Sequence, residues 1–257
     1  MGGLKIKCLN LRRNACFFIL GCFSVPAFAG HPLVSEDSNL QGTGRVQLEL
    51  SADYLRSRDS GDSLKSGSVS FTTGVSDQAD LFVSLSNTWD AESGGNGISD
   101  AVIGSKIRVL SSESFAVAFK PQVSIPSGSE EKGLGNGKTS YALTLIGSYS
   151  VEGHEFHLNF GFDRNRFKLV SDVEDNRRTV RRTSIAMVSE VDEKTCFLLD
   201  FGVADPSLKS DSGHPAFTVI GFSREVSKDV EWDIGIKLPL NSSERDRQFG
   251  FGLTLRR

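Results

Sequence analysis

Few residues of the chain have side chains suited to catalysis or to metal binding. It contains four cysteines and four histidines, the histidines being His31, His154, His157 and His214. His154 and His157 are three residues apart, so on a strand their side chains point to opposite faces and cannot share a metal ion. The glycine-rich segment 133–137 lacks the lysine–serine ending of a phosphate-binding loop. These residues therefore predict no metal site, no cofactor and no catalytic centre.

The first 29 residues predict export. Basic residues between positions 5 and 13 precede an apolar run from Ala15 to Val25, and Ala27-Phe28-Ala29 follows it. This order is that of a secretory signal peptide, and the run is shorter than the ~20 residues that a spanning helix needs. We predict a signal peptide over residues 1–29, cleaved after its last alanine. Lipoprotein processing at Cys22 is the alternative.

Removal of this signal would leave a net acidic chain. The signal holds four of the 29 basic residues and none of the 32 acidic ones, so the mature chain has a formal charge of −7. An acidic chain without a basic block excludes nucleic acid as a partner. Cys196 is the one cysteine outside the signal, so no disulfide framework is expected.

Beyond the signal, apolar and polar residues alternate along the chain. Between Arg45 and Tyr54 every second residue is apolar, and segments 156–163, 230–240 and 249–256 alternate as clearly. Weaker segments lie near 65–75, 80–90, 100–110, 114–125, 138–150, 179–190, 195–204 and 215–224. About ten residues is the length of a tilted membrane-spanning strand. We therefore predict an all-β fold, an antiparallel transmembrane β-barrel of about 12 strands over residues 44–257.

The connections between these segments alternate in length. Tight links such as Glu152-Gly153 alternate with long polar ones such as 127–137 and 165–178. Short periplasmic turns and longer extracellular loops are typical of outer-membrane barrels, and an even strand count places both termini at the short turns. A soluble β-sandwich is the alternative, although strands of globular proteins usually have only ~5 to 6 residues. Pro121 predicts a bulge or a strand end within its segment.

Two stretches of the sequence carry a resemblance to a known family. The first comprises His31-Pro32-Leu33-Val34 through Asp37, Gln41-Gly42-Thr43-Gly44 and Gln47-Leu48-Glu49-Leu50; the second is Ile125-Pro126-Ser127-Gly128 with Lys132-Gly133-Leu134-Gly135-Asn136-Gly137. They resemble the bacterial outer-membrane transporter-like family labelled phenol-degradation meta-pathway proteins, from about residue 31 to the end. The resemblance implies a Gram-negative outer-membrane barrel with a transport role. Such barrels usually end on an aromatic residue, whereas this chain ends Leu255-Arg256-Arg257, so we expect either a degenerate assembly signal or less efficient membrane insertion.

If the apolar residues face lipid, the polar residues between them line the lumen. The candidate lumen-lining residues are Arg45, Glu49, Asp53, Lys106, Arg108, Lys120, Gln122, Asp163, Asp200, Glu231, Asp233, Lys237 and Arg256. Side chains fill the lumen of an eight-stranded barrel, whereas a sixteen-stranded barrel leaves an aqueous channel. A barrel of twelve strands lies between these two cases. These mixed charges would either pair and close the interior or line a selective pore. Residues 30–43 are long enough to fold back as a lumen plug and equally suit a periplasmic N-terminal tail.

Two patterns suggest roles at the membrane surface. Some outer-membrane barrels hydrolyse lipid with an outward-facing serine and a histidine, but the sequence assigns no serine and carboxylate to any histidine. The run Arg177-Arg178-Thr179-Val180-Arg181-Arg182 would suit lipopolysaccharide phosphates on an outer face. Solvation beside Asp172, Glu174 and Asp175 is the simpler interpretation of that run.

Together these patterns favour passive or facilitated passage of small molecules across the outer membrane, with hydrophobic or aromatic solutes implied by the resemblance. A closed structural or surface-binding barrel is the main alternative, and a barrel enzyme acting on lipid is a weaker one. The expected partners are outer-membrane lipid, small-molecule solutes and the barrel-assembly machinery.

Overall fold

The computed structural model describes residues 31–57, 63–90, 95–244 and 246–257, without the side chain of Asp90. The predicted signal peptide, residues 1–29, lies outside the described residues. Within these ranges no helix combines the length and the apolarity needed to cross a membrane.

Thirteen strands form most of the described chain. They are β1 (Val46–Ser57), β2 (Ser63–Ser76), β3 (Ala79–Asp90), β4 (Gly97–Ile98), β5 (Ala101–Ser111), β6 (Phe115–Ile125), β7 (Ser140–Val151), β8 (His154–Arg164), β9 (Thr179–Asp192), β10 (Thr195–Ala204), β11 (Ala216–Ser227), β12 (Val230–Pro239) and β13 (Asp246–Arg256). The loop before β7 holds the 3₁₀ turn Glu130–Lys132, and the loop before β9 holds helix α1 (Val170–Asp175).

Twelve of these strands close into one antiparallel barrel. Strands adjacent in sequence pair with each other, β3 pairs with β5, and β1 pairs with β13 from Gln47↔Arg256 to Ser57↔Asp246. The two-residue β4 pairs with β3 alone. Each of the twelve has 10 to 14 residues, which at ~3.3 Å per residue spans a tilted path through a bilayer. The predicted barrel of about 12 strands is confirmed, and the soluble sandwich is wrong.

The two faces of the barrel differ as the alternation predicts. Large apolar side chains point outward and stay exposed, with Phe160 at 49% and Phe249 at 50%. The inward face carries buried polar groups such as Gln47, Asp200 and Thr254. A wall that is apolar outside and polar inside is stable where the outer solvent is lipid.

The connections form two different rims. Five turns of two or three residues lie at one end of the barrel, here called the short-turn rim, and longer loops lie at the other, the long-loop rim. The turn between β7 and β8 shows why it is tight: Glu152 has φ 44° and Gly153 has φ 79°, as the favoured two-residue hairpin requires. The chain reaches the short-turn rim at both Val46 and Arg257, whose backbones exchange two hydrogen bonds of 2.9 Å.

Pro121 neither ends nor bulges its strand, which corrects the sequence prediction. β6 runs through it, and Pro121 pairs with Leu143 of β7. On the β5 side the ladder lacks two steps, between Gly104↔Gln122 and Ile107↔Phe119. Proline has no N–H to donate, so the cost is limited to the two missing ladder positions at Pro121 and Lys120. The register shift of this hairpin lies nearer the turn, between Arg108 and Leu110.

Candidate functional site

The barrel interior is occupied by residues 31–44, here called the N-terminal segment. The segment meets the wall at the short-turn rim, where Gly44 N donates to Gly74 O at 2.8 Å. From there it crosses the interior and bonds to side chains on β3, β7, β8, β10 and β12. Inward-facing side chains far apart in sequence therefore converge on one short stretch of chain.

His31 forms one anchor of the N-terminal segment. Its Nδ1 lies 2.5 Å from Asp233 Oδ1 and its Nε2 lies 2.9 Å from Asp53 Oδ1. Gln248 Nε2 donates to the same Asp53 oxygen at 2.8 Å. The wall beside the imidazole is Gly250, where a Cβ would collide with the ring. A bulkier residue on this inward position would displace His31 from its two carboxylates.

Asp200 forms a second anchor through three hydrogen bonds. Its Oδ2 accepts from the backbone N–H of Val34 at 2.8 Å and of Ser35 at 2.7 Å. Its Oδ1 accepts from Ser35 Oγ at 2.9 Å, and that hydroxyl also contacts Ser184 Oγ at 2.8 Å. A carboxylate that accepts several donors is satisfied without a cation, so Asp200 holds the chain in one position.

Between the anchors, a cluster of opposite charges ties the segment to β5 and β6. Glu36 forms an ion pair with Lys120 and lies 3.8 Å from Lys106, which also contacts Asp37 at 3.2 Å. The Glu36 backbone exchanges two hydrogen bonds of 2.8 Å with the Asn159 amide. Burial alone would raise the pKa of the Glu36 carboxyl, but the two lysines outweigh it and hold that pKa below its ordinary 4.5. Glu36 therefore stays ionised and bound.

Beyond this cluster the segment approaches the short-turn rim. Ser38 N donates to Ser148 Oγ at 3.0 Å, and Gln41 N donates to Asp80 Oδ2 at 2.9 Å. Ser148 Oγ also lies 2.9 Å from Nδ1 of His157, which is fully buried. The Nε2 of that histidine has no hydrogen-bond partner in the described ranges.

The segment leaves a cavity of about 400 Å³ on one side of the lumen. Its wall is formed by residues of β1, β2, β3, β5 and β6, rich in serine and threonine, by a few residues of β12 and β13, and by the segment itself. Along β1 the lining runs from Gln47 to Ser51, which at ~3.3 Å per residue is about 13 Å of depth. A second cavity of about 260 Å³ lies on the other side of Glu36 and Lys120. We call the larger one the corridor.

The corridor contains one inward-facing aromatic ring. Phe82 is nine-tenths buried and Lys120 Nζ lies 4.7 Å from its ring centroid. Lys237 Nζ lies 4.8 Å from the ring of Phe217, but neither of these two lines the corridor. A cation over an aromatic face is attracted by the ring quadrupole, so both lysines are held in place.

The sequence-predicted lumen residues fall into three groups. Five contact the N-terminal segment: Asp53, Lys106, Lys120, Asp200 and Asp233. Glu49 and Gln122 line the corridor. The rest lie toward the rims: Glu231 with Arg256 at 2.8 Å, Asp163 with Arg182 at 2.8 Å, Lys237 with Glu244 at 3.1 Å, Arg108 with Asp77 O at 3.3 Å, and Arg45 exposed beside the short turns.

Sequence reasoning missed several residues of this site. Asp80 and Phe82 were not singled out, although both lie on the polar-face positions of their strand. Asn159 and Arg182 also occupy inward positions. The period-two alternation could have identified Asp80 and Asn159 as inward polar residues. It gave no signal for Phe82, because an apolar ring on the lumen side breaks that pattern.

Two histidines lie on the outside of the barrel rather than at the site. His154 Nδ1 lies 2.9 Å from Ser189 Oγ at the short-turn rim. No carboxylate lies within 4 Å of the His154 ring in the part of the chain that the structure describes. His214 lies at the long-loop rim, 3.6 Å from Asp205. Among the described residues, no group of three or more His, Cys, Asp and Glu side chains is arranged to hold a metal ion.

Protonation of His31 should control how firmly the segment is held. Burial alone would lower the pKa of His31, but its hydrogen bonds to Asp233 and Asp53 raise that pKa from 6.5 to about 9. The stabilisation is therefore complete below pH 6.5 and is lost as the pH rises through about 9. We expect the conductance in a planar bilayer to rise with a midpoint near pH 9.

His31→Gln is the control for this pH dependence. A neutral amide cannot titrate, so the variant should conduct more at pH 7 and respond little between pH 7 and 10. Equal pH profiles for the two proteins would show that another group titrates.

Comparisons with known proteins agree with the barrel. A family model described as "Putative MetA-pathway of phenol degradation" matches residues 29–256, which confirms the resemblance seen in the sequence. No curated protein matches the chain. Among solved structures, an outer membrane channel from Pseudomonas putida F1 has a TM-score of 0.69 at 10% identity, covering 86% of this chain and 98% of that one.

Two porin or channel structures are also similar. The KdgM porin in complex with disordered oligogalacturonate has a TM-score of 0.57 at 8% identity, over 81% of this chain and 98% of that one. The CymD monoaromatic hydrocarbon channel has a TM-score of 0.50 at 10% identity, over 84% and 88%. Since identities are this low, these likenesses concern the fold. The fold is that of outer-membrane channels, and the lipid-facing wall agrees with an outer-membrane location.

Proposed function

The chain belongs to the MetA-pathway phenol-degradation family, and from that premise we propose that it is a passive outer-membrane channel for small molecules. The observation that carries the proposal is the corridor of about 400 Å³ beside the N-terminal segment. Solutes would diffuse along it without a reaction or a cofactor. The short-turn rim would face the periplasm and the long-loop rim the outside, as in other outer-membrane barrels.

The N-terminal segment would act as a plug that narrows the lumen. On one side its backbone is held by Ser148, Asn159 and Asp200 of β7, β8 and β10. On the corridor side it is contacted by side chains of β1, β3, β5 and β6. A plug that is held from both sides and leaves the corridor unfilled would produce a narrow path rather than a closed barrel. The lumen-lining residues named above would then have two roles: some hold the plug and others, such as Glu49 and Gln122, face the solute.

The family label and the aromatic ring of Phe82 support small aromatic or hydrophobic solutes. The corridor is otherwise lined by hydroxyl groups and charges together with a few aliphatic side chains such as Leu33 and Val102, so a ring with a polar substituent suits it better than a purely apolar molecule. Outer-membrane lipid and the barrel-assembly machinery would be the partners of the mature chain, which would begin after the predicted signal.

Single-channel recording from the refolded mature chain tests the proposal. We expect discrete, small conductance steps in a planar bilayer, because the plug leaves a path but a narrow one. Heat-modifiable gel mobility should confirm that the barrel has formed. A folded barrel without conductance and without solute-driven liposome swelling would contradict the channel and favour a closed structural or surface-binding protein.

A lipid-modifying enzyme is the second candidate, because His154 and Ser189 form a histidine–serine pair on the outer wall. We propose that the chain is not an enzyme. A serine hydrolase needs a base that is oriented by a third group, and that group is missing from the described residues near His154. Phospholipid hydrolysis that His154→Gln abolishes would overturn this.

A further inference from the structure

The outer wall carries a basic patch at the long-loop rim. Arg164 at the end of β8 and Arg181 near the start of β9 are adjacent, since Arg164 pairs with Thr179 and Phe162 pairs with Arg181. Both side chains are exposed and point outward. Arg181 belongs to the basic run 177–182, of which only Arg182 faces inward. The channel uses neither Arg164 nor Arg181.

The patch lies directly above the apolar part of the wall. Phe160, Phe162, Ile185 and Phe201 face outward below it and are all exposed. The two arginines therefore lie at the level where the hydrocarbon of the membrane gives way to charged head groups. A lipid bound here would place its acyl chains on the rings and its head group on the guanidinium groups.

Each guanidinium is held in place with donors to spare. Arg181 donates from Nε to Asp205 Oδ2 at 2.7 Å and from Nη2 to Asp205 Oδ1 at 3.2 Å. A guanidinium has five N–H donors, so three of them remain for a ligand. Arg164 donates from Nη1 to Thr179 Oγ1 at 2.9 Å. Asp205 thus orients Arg181 without using all of its donors.

A cavity of about 510 Å³ extends the patch into the loops. Phe162, Arg177, Arg181 and His214 are among the side chains that line it, and Asp205 is its acidic member. Arg177 is held at this place by hydrogen bonds to the carbonyl oxygens of Leu208, at 3.3 Å, and Asp211, at 3.2 Å. The site thus combines an aromatic floor with several guanidinium groups.

We propose that this patch binds lipopolysaccharide through the phosphate groups of its lipid A. Guanidinium forks match phosphate oxygens bidentately, and the aromatic residues below match acyl chains. The proposal rests on the outer-membrane location and on the long loops facing outward, because lipopolysaccharide occupies the outer leaflet. The simpler interpretation of the arginine run, solvation beside Asp172, Glu174 and Asp175, does not describe Arg181, whose acidic partner is Asp205.

The opposite rim supplies a matched control. Arg224 also faces outward, donates to a threonine hydroxyl, Thr195 Oγ1, at 2.5 Å and lies 3.7 Å from an aspartate, Asp192. It belongs to the short-turn rim, which would face the inner leaflet, where there is no lipopolysaccharide. Its replacement removes the same type of contact from the wrong side of the membrane.

Native mass spectrometry of the full mature chain in detergent, with purified lipid A added, tests the proposal. We expect the wild-type chain and Arg224→Gln to retain lipid A equally. The double variant Arg164→Gln, Arg181→Gln should bind about ten-fold more weakly, as the loss of charge-assisted hydrogen bonds implies. Dephosphorylated lipid A should bind the wild-type chain about as weakly as intact lipid A binds the double variant.

Three results would overturn the proposal. They are equal retention of intact and dephosphorylated lipid A, equal losses in the double variant and in Arg224→Gln, and retention of phosphatidylglycerol as strong as that of lipid A. The heat-modifiable mobility of each variant, measured in the same detergent, shows that its barrel is folded. Conductance would be unchanged in the double variant, so failure here is separate from failure of the channel proposal.

Discussion

Deletion of residues 31–42 is expected to raise the single-channel conductance several-fold. The N-terminal segment bonds to strands around most of the barrel, and in the proposed channel it leaves the corridor as the path. Without it, a barrel of twelve strands has a lumen wider than the eight-stranded barrels that side chains alone fill. The expected change is large because a whole stretch of chain leaves the lumen.

The barrel itself should survive this deletion. The twelve strands close through their own ladders, including β1 with β13, and residues 31–42 contribute no strand. The carboxylates of Asp53, Asp200 and Asp233 lose their partners, but water then enters the lumen and solvates them. Heat-modifiable gel mobility should therefore look the same for the deleted and the full-length chain.

A point variant distinguishes the effect of releasing the plug from the effect of removing part of the chain. Asp200→Ala removes the acceptor of three hydrogen bonds from Val34 and Ser35, each worth about 1.5 to 3 kcal/mol when the acceptor is charged. We expect a noisier current, with excursions toward the conductance of the variant that lacks residues 31–42. Asp163→Asn is the control, because that acid pairs with Arg182 near the long-loop rim and does not touch the segment. If the folded deletion variant conducts like the full chain, the plug does not limit the current.

The alternation of the sequence predicted the wall but not what the wall holds. In β1 the period-two pattern assigned Glu49 and Asp53 to one face and Leu50 and Tyr54 to the other, and the structure keeps that division. A closed barrel makes every strand obey one rule, apolar outward and polar inward, so a local pattern suffices. The tight turns are equally local features, so residues such as Glu152 and Gly153 sufficed to recognise them.

The contacts of the N-terminal segment are of a different kind. Asp200 binds Ser35 from 165 residues away, and nothing in the local pattern of either residue names the other. One signal was present: glycines on inward positions. Gly221, Gly235 and Gly250 leave space that His31 and Pro32 fill. Small inward residues are a sign of a crowded lumen, but the sequence could not say that residues 31–32 are what crowds it.

Glu49→Lys is expected to invert the ion preference of the channel. Most of the other charged side chains that line the corridor have partners there: Glu36 and Asp37 face Lys106 and Lys120, Asp233 faces His31, and Asp80 accepts a hydrogen bond from Gln41 N. Glu49 forms no ion pair of 4 Å or less in the part of the chain that the structure describes, and it lines the corridor. Because Glu49 has no such close partner there, the wild-type channel should prefer cations.

The size of the change follows from Coulomb's law. A unit charge close to a permeating ion in a partly solvated path contributes on the order of 1 kcal/mol, or about five-fold in relative permeability. Glu49→Gln removes one charge and should abolish most of the cation preference, whereas the lysine variant reverses the sign. Reversal potentials in a salt gradient measure both. The segment should stay in place, since Glu49 is not one of its anchors.

Glu231→Gln is the matched control, because it removes the same carboxylate from another inward position. Glu231 is already paired with Arg256 at 2.8 Å and does not line the corridor, so its neutralisation should shift the reversal potential in the same sense but less. If the two glutamine variants shift it equally, ions do not follow the corridor and the charges act through the field of the whole lumen. If Glu49→Lys leaves the preference unchanged while the barrel conducts, the path lies outside the corridor, and the side of the lumen along β7–β12 would have to carry the current.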